Sequence, residues 1–328
     1  MIVQTLAKTD IAEKTGLEAV FHSKILLFGE YGIIKNSMGL SIPYYDYSGA
    51  LSFITDENSE DEMVVASNLA LKTYAGYLWG LRKDDELLFD FDLVRFENDV
   101  SDGLYFNSSI PQGFGVGSSG ALCAALYNQY AINKIGQTNL SSDEMMMLKK
   151  IFAQMESFYH GKSSGFDPLI CYLNVPVLVE SKSQFRSISL PENKSGGGSV
   201  FLLNTGNPSE TEPLVKWFGE QYKESGFVRQ FKECFIPYND ACITQFLTGE
   251  TQAFFTSLYK LSKFLFEHFN PMIPEAFKEI WLKGLETGAY NLKLCGSGGG
   301  GYLLGFTQDF ENAKKHLPNY NIKEIYRL

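Results

Sequence analysis

Apolar and polar positions divide the chain into strand-like and helix-like segments. Alternating or short apolar runs bounded by turn residues predict strands. In the first part of the chain these runs are residues 24–34 (on either side of a Gly-Glu turn), 50–56, 87–94, 103–111, 169–173, 176–180 and 185–190. Apolar residues at a spacing of three and four predict helices at 61–81, 118–133 and 142–159. The last of these is opened by Ser141 or Ser142 with acids in its first turn.

The second part of the chain follows a polar, glycine-rich segment at residues 192–199, ENKSGGGS, which has the composition of a linker. Beyond it the pattern predicts a strand at 200–204, several helices between 212 and 287, strands at 291–295 and 301–306, a short helix and a final strand. We therefore expect an α+β fold with helices packed on one face of a mainly antiparallel sheet. Two domains are predicted, residues 1–195 and 196–328.

Composition limits the classes of partner. The chain has 328 residues, 45% hydrophobic and 20% charged, which suffices for two domains of ordinary size. A net charge of −10 disfavours nucleic acid and anionic membranes as partners. The N-terminus lacks the apolar core of a signal peptide, and no window is apolar for the ~18 residues that a membrane span requires. Five cysteines without a CxxC pair suggest buried free thiols, so we expect a cytoplasmic protein.

The most informative stretch is PQGFGVGSSGALCAAL, residues 111–126. Its glycines allow close approach of the backbone to a ligand, and Ser118 and Ser119 open an apolar helix whose free N–H groups favour an anion. A dinucleotide fingerprint, GxGxxG, is formally present, but the helix begins inside it and no acid follows at the end of a second strand. The Walker A pattern does not occur. A plain helix N-cap is the simpler alternative.

Two other places are rich in glycine. In KLCGSGGGGYLLGF, residues 293–306, four consecutive glycines lie between two apolar runs, so we expect a loop pressed against another backbone or a ligand. The glycines at 196–198 have polar flanks and are expected to be only a linker.

These stretches together resemble the three signature motifs of the GHMP kinases, in the right order. The first is SKILLFGEYGIIKNSMGLSIPY (23–44), the second is the glycine-rich stretch at 111–126, and the third is KLCGSGGGG (293–301). Between them, MESFYHGKSSGFDP (155–168) is similar to the mevalonate kinase branch, with a Glu and an Asp eleven positions apart. Departures are Tyr31 where that branch carries His, Ser163 for Pro, and Cys295 for Thr.

The resemblance implies a two-domain GHMP kinase fold, with a ribosomal protein S5 domain 2-like N-terminal domain and a ferredoxin-like C-terminal domain. It also implies phosphorylation of a small-molecule alcohol by ATP with Mg²⁺, with mevalonate as the expected acceptor and 5-phosphomevalonate as the product. Gly-Glu-Tyr is more like phosphomevalonate kinase, so that activity or a sugar kinase is the alternative. A non-catalytic sensor of the same fold is a further alternative, and a homodimer is left open.

By the same resemblance, Asp167 would accept or orient the proton of the reacting hydroxyl, and Lys24 would offset the developing charge. Ser119 and Glu156 would hold Mg²⁺. The expected nucleotide-binding residues are Pro111, Gly113, Gly115, Gly117, Ser118, Ser119 and Gly120. The expected substrate-side residues are Glu30, Tyr31, His160, Ser164, Gly165, Thr211, Gly296, Gly298 and Gly299. Among these, His160 is favoured as a structural residue at a helix end, because nothing in the chemistry requires it.

Each of the residues expected to bind metal or to act in catalysis also has a simpler, structural interpretation. Glu156 alone could be a solvated acid at a helix end, and Asp167 before Pro168 could be a turn residue. Lys24 could be a surface lysine before a strand. Glu156 and Asp167 have the same spacing as in the resembled family, and this match favours the functional interpretation.

Overall fold

The computed structural model describes residues 19–191 and 198–328. The described strands are β1 (Phe21–Phe28), β2 (Gly39–Phe53), β3 (Leu104–Ser108), β4 (Val177–Ser181), β5 (Gln184–Ser187), β6 (Ser199–Asn204), β7 (Asn291–Leu294), β8 (Tyr302–Thr307) and β9 (Ile322–Arg327). The described helices are α1 (Glu62–Lys83), α2 (Leu93–Ser101), α3 (Ser118–Tyr130), α4 (Ser142–His160), α5 (Phe166–Leu173), α6 (Thr211–Gln221), α7 (Ser225–Gln230), α8 (Ile236–Thr248), α9 (Thr251–His268), α10 (Glu275–Thr287) and α11 (Phe310–His316). The predicted domain boundary at residue 195, and residues 192–197 of the predicted linker, lie outside the described residues, so both stay predictions.

The described chain forms two compact units. The first unit contains residues 19–23, 45–110 and 117–174, and the second contains 24–44, 111–116, 175–191 and 198–328. The chain passes from one unit to the other within β1, within β2, at both ends of residues 111–116 and after Asn174. Each unit is therefore assembled from segments that are distant in sequence.

In the first unit, α1 packs on β3 and α2, and β3 pairs antiparallel with Gly49–Phe53 of β2. Asn68 fixes this arrangement, because its buried amide donates to Val100 O at 2.9 Å and to Leu104 O at 2.7 Å. On the outer side of α1, Trp79 donates its indole N–H to Glu97 Oε2 at 3.2 Å. A satisfied buried amide and an apolar helix face together hold the layer in register.

The helices that carry site residues in this unit are α3, α4 and α5, which contact one another. The predicted opening of α4 by Ser141, with acids in its first turn, is confirmed, and Ser141 forms a capping box with Glu144 there. The core between these helices is aromatic, and Tyr127, Phe152 and Tyr172 are almost fully buried with ring centroids 5.1–5.5 Å apart. This packing joins α3, α4 and α5 through one aromatic cluster.

In the second unit, an antiparallel sheet has the order β7-β8-β6-β9. Helix α9 packs against α8, α10 and β7. Trp281 of α10 is fully buried and donates its N–H to Ser262 Oγ at 3.0 Å. Also in this unit, β4 pairs with Gly39–Ser41 of β2 and with β5.

Some predicted elements are wrong in type. Residues 169–173 lie in helix α5, not in a strand, because Gly165 in a left-handed conformation starts a helix there and a short apolar run has no diagnostic period. The run 87–94 is not a strand either, since Asp92 caps α2 by accepting from Arg95 N at 3.1 Å. The strand predicted at 24–34 ends at Phe28, where the chain turns.

The expectations about the cysteines and about membrane-spanning segments can be compared with the described structure. All five cysteines are free, and four of them are buried. Within residues 19–191 and 198–328, the helices lack the combined length and apolar character needed to cross a bilayer.

Candidate functional site

The predicted site residues are divided between the two units. Those in the first unit are Gly117, Ser118, Ser119, Gly120, Glu156, His160, Ser164, Gly165 and Asp167. Those in the second unit are Lys24, Glu30, Tyr31, Pro111, Gly113, Gly115, Thr211, Gly296, Gly298 and Gly299.

Ser119, in the first turn of α3, faces the end of α4. Its hydroxyl donates to Glu156 Oε1 at 3.0 Å and lies 3.1 Å from His160 Nε2. Glu156 is only 4% exposed, so the alternative of a solvated helix-end acid is wrong. The two predicted metal ligands are thus adjacent, and His160 is a neighbour of the same hydroxyl.

The start of α3 offers free donors. Gly117 forms the N-cap with φ 83°, a left-handed conformation that glycine adopts without strain. Among the described residues, no side chain caps this end of the helix, and no acid lies in its first turn. Its first N–H groups are therefore available to an anion, as the sequence predicts for a phosphate-binding loop.

Asp167 lies in the first turn of α5, close to the glycine of the first turn of α3. A Cβ added to Gly120 would come within 2.9 Å of the Asp167 carbonyl carbon and of Pro168 N. Gly165 is tighter still, since its Cβ would lie 2.1 Å from Lys149 O. Glycine is required at both positions because the backbones touch, and this contact sets where Asp167 stands.

Lys24 is a residue of β1 and is 2% exposed, so the alternative of a surface lysine is wrong. Its backbone N–H donates to Val116 O at 3.0 Å, which joins β1 to the glycine-rich stretch within the second unit. The predicted pairing of Lys24 with Asp167 joins residues of different units and stays a prediction.

Glu30 and Lys293 form a buried ion pair. Lys293 Nζ lies 2.5 Å from Glu30 Oε1, and the two side chains are 1% and 6% exposed. Burial raises the pKa of Glu30, and the nearby Lys293 and Lys24 ammonium groups oppose that rise. The first motif is thereby bonded to the third.

Tyr31, next in sequence, makes a second link between these motifs. Its hydroxyl donates to Ser297 O at 2.7 Å, and Ser297 Oγ lies 3.3 Å from Thr211 Oγ1. Its ring packs 4.7 Å from the ring of Phe218, and burial raises the pKa of its hydroxyl. A φ of 59° is strained for an aromatic residue, and such strain is concentrated at functional sites.

The second and third glycine-rich stretches contact each other within the second unit. A Cβ on Gly115 would lie 2.7 Å from Cys295 O, and Gly296 is close to the Gly115 backbone. Gly298 approaches Met272 O, and Gly299 approaches Ser209. The expectation that the four-glycine run presses against another backbone is confirmed by these distances.

The second and third motifs are also joined to the segment before α6. Ser209 N donates to Gly113 O at 2.8 Å, and Gly301 N donates to Asn207 O at 2.6 Å. Thr211 begins α6 directly after this segment and is exposed. The hydroxyl of Thr211 is therefore accessible beside the glycine loop.

Ser119 and Glu156 suit a hard divalent cation because they provide oxygen atoms and one carboxylate charge. Within residues 19–191 and 198–328, no group of three His, Cys, Asp or Glu side chains is arranged to hold a metal ion. A metal assignment therefore depends on these two oxygen donors.

Three residues at this site carry contacts that the sequence does not reveal. Ser163 is identifiable only as a departure from the family pattern, yet its hydroxyl donates to Glu156 Oε2. Lys293 has one signal, a charged residue between leucines of a strand, which requires a buried counter-ion. Ser297 has no distinguishing signal.

Comparison with known proteins agrees with the motifs. Residues 69–174 match the family model described as "GHMP kinases N terminal domain". The resemblance to GHMP kinases is therefore confirmed; these kinases are phosphotransferases that use ATP. No curated protein sequence matches the chain.

Solved structures share the fold. Methanococcus jannaschii mevalonate kinase is 18% identical with a TM-score of 0.60, over 94% of this chain and 98% of that one. Streptococcus pneumoniae phosphomevalonate kinase in complex with phosphomevalonate and AMPPNP is 13% identical, with a TM-score of 0.57 over 94% and 99%. Lactococcus lactis galactokinase complexed with galactose is 11% identical, with a TM-score of 0.60 over 99% and 98%. The prediction of a two-domain α+β GHMP kinase fold is confirmed.

Proposed function

We propose that this protein transfers the γ-phosphoryl group of ATP to the hydroxyl of a small molecule, and that mevalonate is the acceptor. The observation that carries the proposal is the bond between Ser119 and Glu156 at the start of α3, where no described side chain caps the helix, directly after a glycine-rich stretch. Free N–H donors, a hydroxyl and a buried carboxylate are the groups that a metal-bound triphosphate needs. The match to the GHMP kinase N-terminal domain supports the same chemistry.

In this proposal the stretch from Gly113 to Gly120 holds the triphosphate through its backbone N–H groups. Asp167 accepts or orients the proton of the acceptor hydroxyl, and Lys24 offsets the charge that develops on the oxygen. Burial of Lys24 supports this role, since a buried cation acts more strongly on nearby charge than a solvated one. The glycine loop at 295–301 and Thr211 border the acceptor.

Mg²⁺ would be held by Ser119 Oγ and Glu156, whose oxygen atoms fit its preference for hard ligands. When bound, the ion neutralises charge on the phosphates. Glu156 is buried and accepts a hydrogen bond from Ser119 Oγ, so the surrounding protein fixes the position of its carboxylate.

A coupled assay of ADP release with mevalonate, phosphomevalonate and galactose tests the proposal. Turnover should require Mg²⁺ and be highest with mevalonate. The double variant Ser119→Ala, Glu156→Gln should lose turnover while retaining the wild-type circular dichroism spectrum. The control Ser101→Ala, Asp143→Asn changes an exposed serine and an exposed acid of the same unit and should keep turnover. Normal turnover in the first variant would reject the metal assignment, and absence of turnover with every acceptor would reject the activity.

A phosphorylated acceptor, phosphomevalonate, is the second candidate, and one observation favours it. Burial and, second, the charge of Lys182 lower the pKa of Lys35, and both lysines belong to the second unit. Lys35 also lies 3.6 Å from the ring centroid of Tyr222, a cation–π contact. If the pair binds the acceptor phosphate, Lys35→Ala should reduce kcat/KM for phosphomevalonate more than for mevalonate. Equal effects on both acceptors would remove this candidate.

A further inference from the structure

Ser163 lies in the turn between α4 and α5 and is fixed by three hydrogen bonds. Its hydroxyl donates to Glu156 Oε2 and accepts from Gly165 N at 3.0 Å. Its backbone N–H donates to Ser157 Oγ at 3.2 Å. Proline, which the resembled branch carries here, has neither a hydroxyl nor an N–H and could make none of these bonds.

The two oxygens of Glu156 are therefore held by different hydroxyls. Ser119 Oγ bonds Oε1, and Ser163 Oγ bonds Oε2. Because the carboxylate is 4% exposed, exchange of these bonds for water is restricted, and a buried carboxylate depends on such bonds. Oε1 is consequently the oxygen that faces the other predicted ligand.

The two common biological divalent cations use carboxylates differently. Ca²⁺ takes many oxygen ligands and readily binds both oxygens of one carboxylate, whereas Mg²⁺ is smaller, stays octahedral and retains several waters. A carboxylate with one oxygen already hydrogen-bonded therefore suits Mg²⁺ better than Ca²⁺. Outer-shell partners of this kind typically contribute 10–100-fold to metal affinity.

We propose that Ser163 is a positioning residue that restricts Glu156 to coordination through Oε1 and thereby makes this site selective for Mg²⁺ over Ca²⁺. The inference rests on the proposed function, because it assumes that Glu156 binds the ion that accompanies ATP. Ser163 stands where the family pattern has proline, and the proposed effect of its hydroxyl is on the choice of ion.

The test measures nucleotide binding without turnover. The dissociation constant of AMPPNP is determined by tryptophan fluorescence in saturating Mg²⁺, in saturating Ca²⁺ and in EDTA. In Ser163→Ala, binding with Mg²⁺ should weaken by about 10–100-fold, as expected for loss of an outer-shell partner. Binding with Ca²⁺ and in EDTA should change little, so the preference for Mg²⁺ falls. Ser163→Thr keeps the hydroxyl and should restore the preference, and Ser101→Ala is the control for an exposed serine of the same unit.

The outcomes distinguish failure of the role of Ser163 from failure of the proposed function. Equal weakening with both ions would make Ser163 a direct ligand and overturn the proposal, and so would unchanged binding with both. If Ser163→Ala does not fold, Ser163→Cys supplies a side chain of similar size with a weak donor, and the same comparison applies. Wild-type protein that does not bind AMPPNP under any of the three conditions would instead reject the proposed function.

Discussion

Replacing Lys293 with methionine should reveal how strongly the first and third motifs depend on their buried ion pair. The change removes the ammonium that lies 2.5 Å from Glu30 Oε1 and leaves a carboxylate that is 6% exposed. Removing one partner of a buried pair costs about 3–5 kcal/mol, because the remaining charge is left without a counter-ion. At about 2–4 °C per kcal/mol, Tm should fall by about 6–20 °C.

The pKa of Glu30 determines whether the destabilisation by Lys293→Met grows or shrinks with pH. Burial raises the pKa of Glu30, so the fold favours the protonated acid; that stabilisation is complete below the ordinary pKa and is lost as pH rises through the folded value. Lys293 opposes the rise, and without it the folded pKa is higher still. The destabilisation by Lys293→Met should therefore grow between about pH 5 and about pH 8.

Urea unfolding followed by circular dichroism at both pH values measures the effect. Lys223→Met is the matched control, because its partner Glu220 is at a similar distance, 2.7 Å, but both side chains are exposed. An exposed pair contributes at most about 1 kcal/mol. The variant Glu30→Leu, Lys293→Met removes both charges and should regain most of the lost stability. A single variant as stable as the control, or a double variant worse than the single, would refute the reasoning.

Three further changes test other parts of the site. Asp167→Asn should lower turnover by ~10²–10⁴ while AMPPNP affinity is retained; near-normal turnover would reduce Asp167 to a structural residue. Tyr31→Phe should cost about 0.5–1.5 kcal/mol in urea unfolding and speed hydrogen exchange at residues 295–301, because the hydroxyl bond to that loop is lost; unchanged exchange would show that the bond does not hold the loop. Gly120→Ala should destabilise by about 1–3 kcal/mol through its contact with the backbone at Asp167. Gly76→Ala, whose Cβ would have no neighbour within 4 Å, should stabilise α1 by about 0.5–1 kcal/mol, and equal effects of the two alanines would contradict the contact.

Local chemistry made the start of α3 predictable. Glycines before an apolar helix were sufficient to expect a helix start that favours an anion, because that signal lies within a short stretch of sequence. The pairing of Ser119 with Glu156 was implied by the resemblance to GHMP kinases and not by the local pattern. The type of α5 could not be predicted, since a short buried run has no period that separates helix from strand. Its start depends on Gly165, whose left-handed conformation is a property of the folded backbone.

Long-range contacts were the least predictable part. Glu30 and Lys293 are 263 positions apart, and Tyr31 and Ser297 are 266 apart, so no local pattern pairs them. Ser163 is close to Glu156 in sequence, but its bond depends on how the turn after α4 folds back. The predicted roles of Asp167 and Lys24 remain for kinetics to test.

The three tryptophans differ in their surroundings and provide a natural optical reporter for each unit. Trp281 is fully buried and bonded to Ser262, so its emission should lie at short wavelength and resist quenching by acrylamide. Trp79, in the first unit, is partly exposed beside Glu97 and should emit at longer wavelength and be quenched readily. With Trp217 replaced by phenylalanine, the two remaining signals would report on separate units, and their loss at different denaturant concentrations would reveal that the units unfold in sequence.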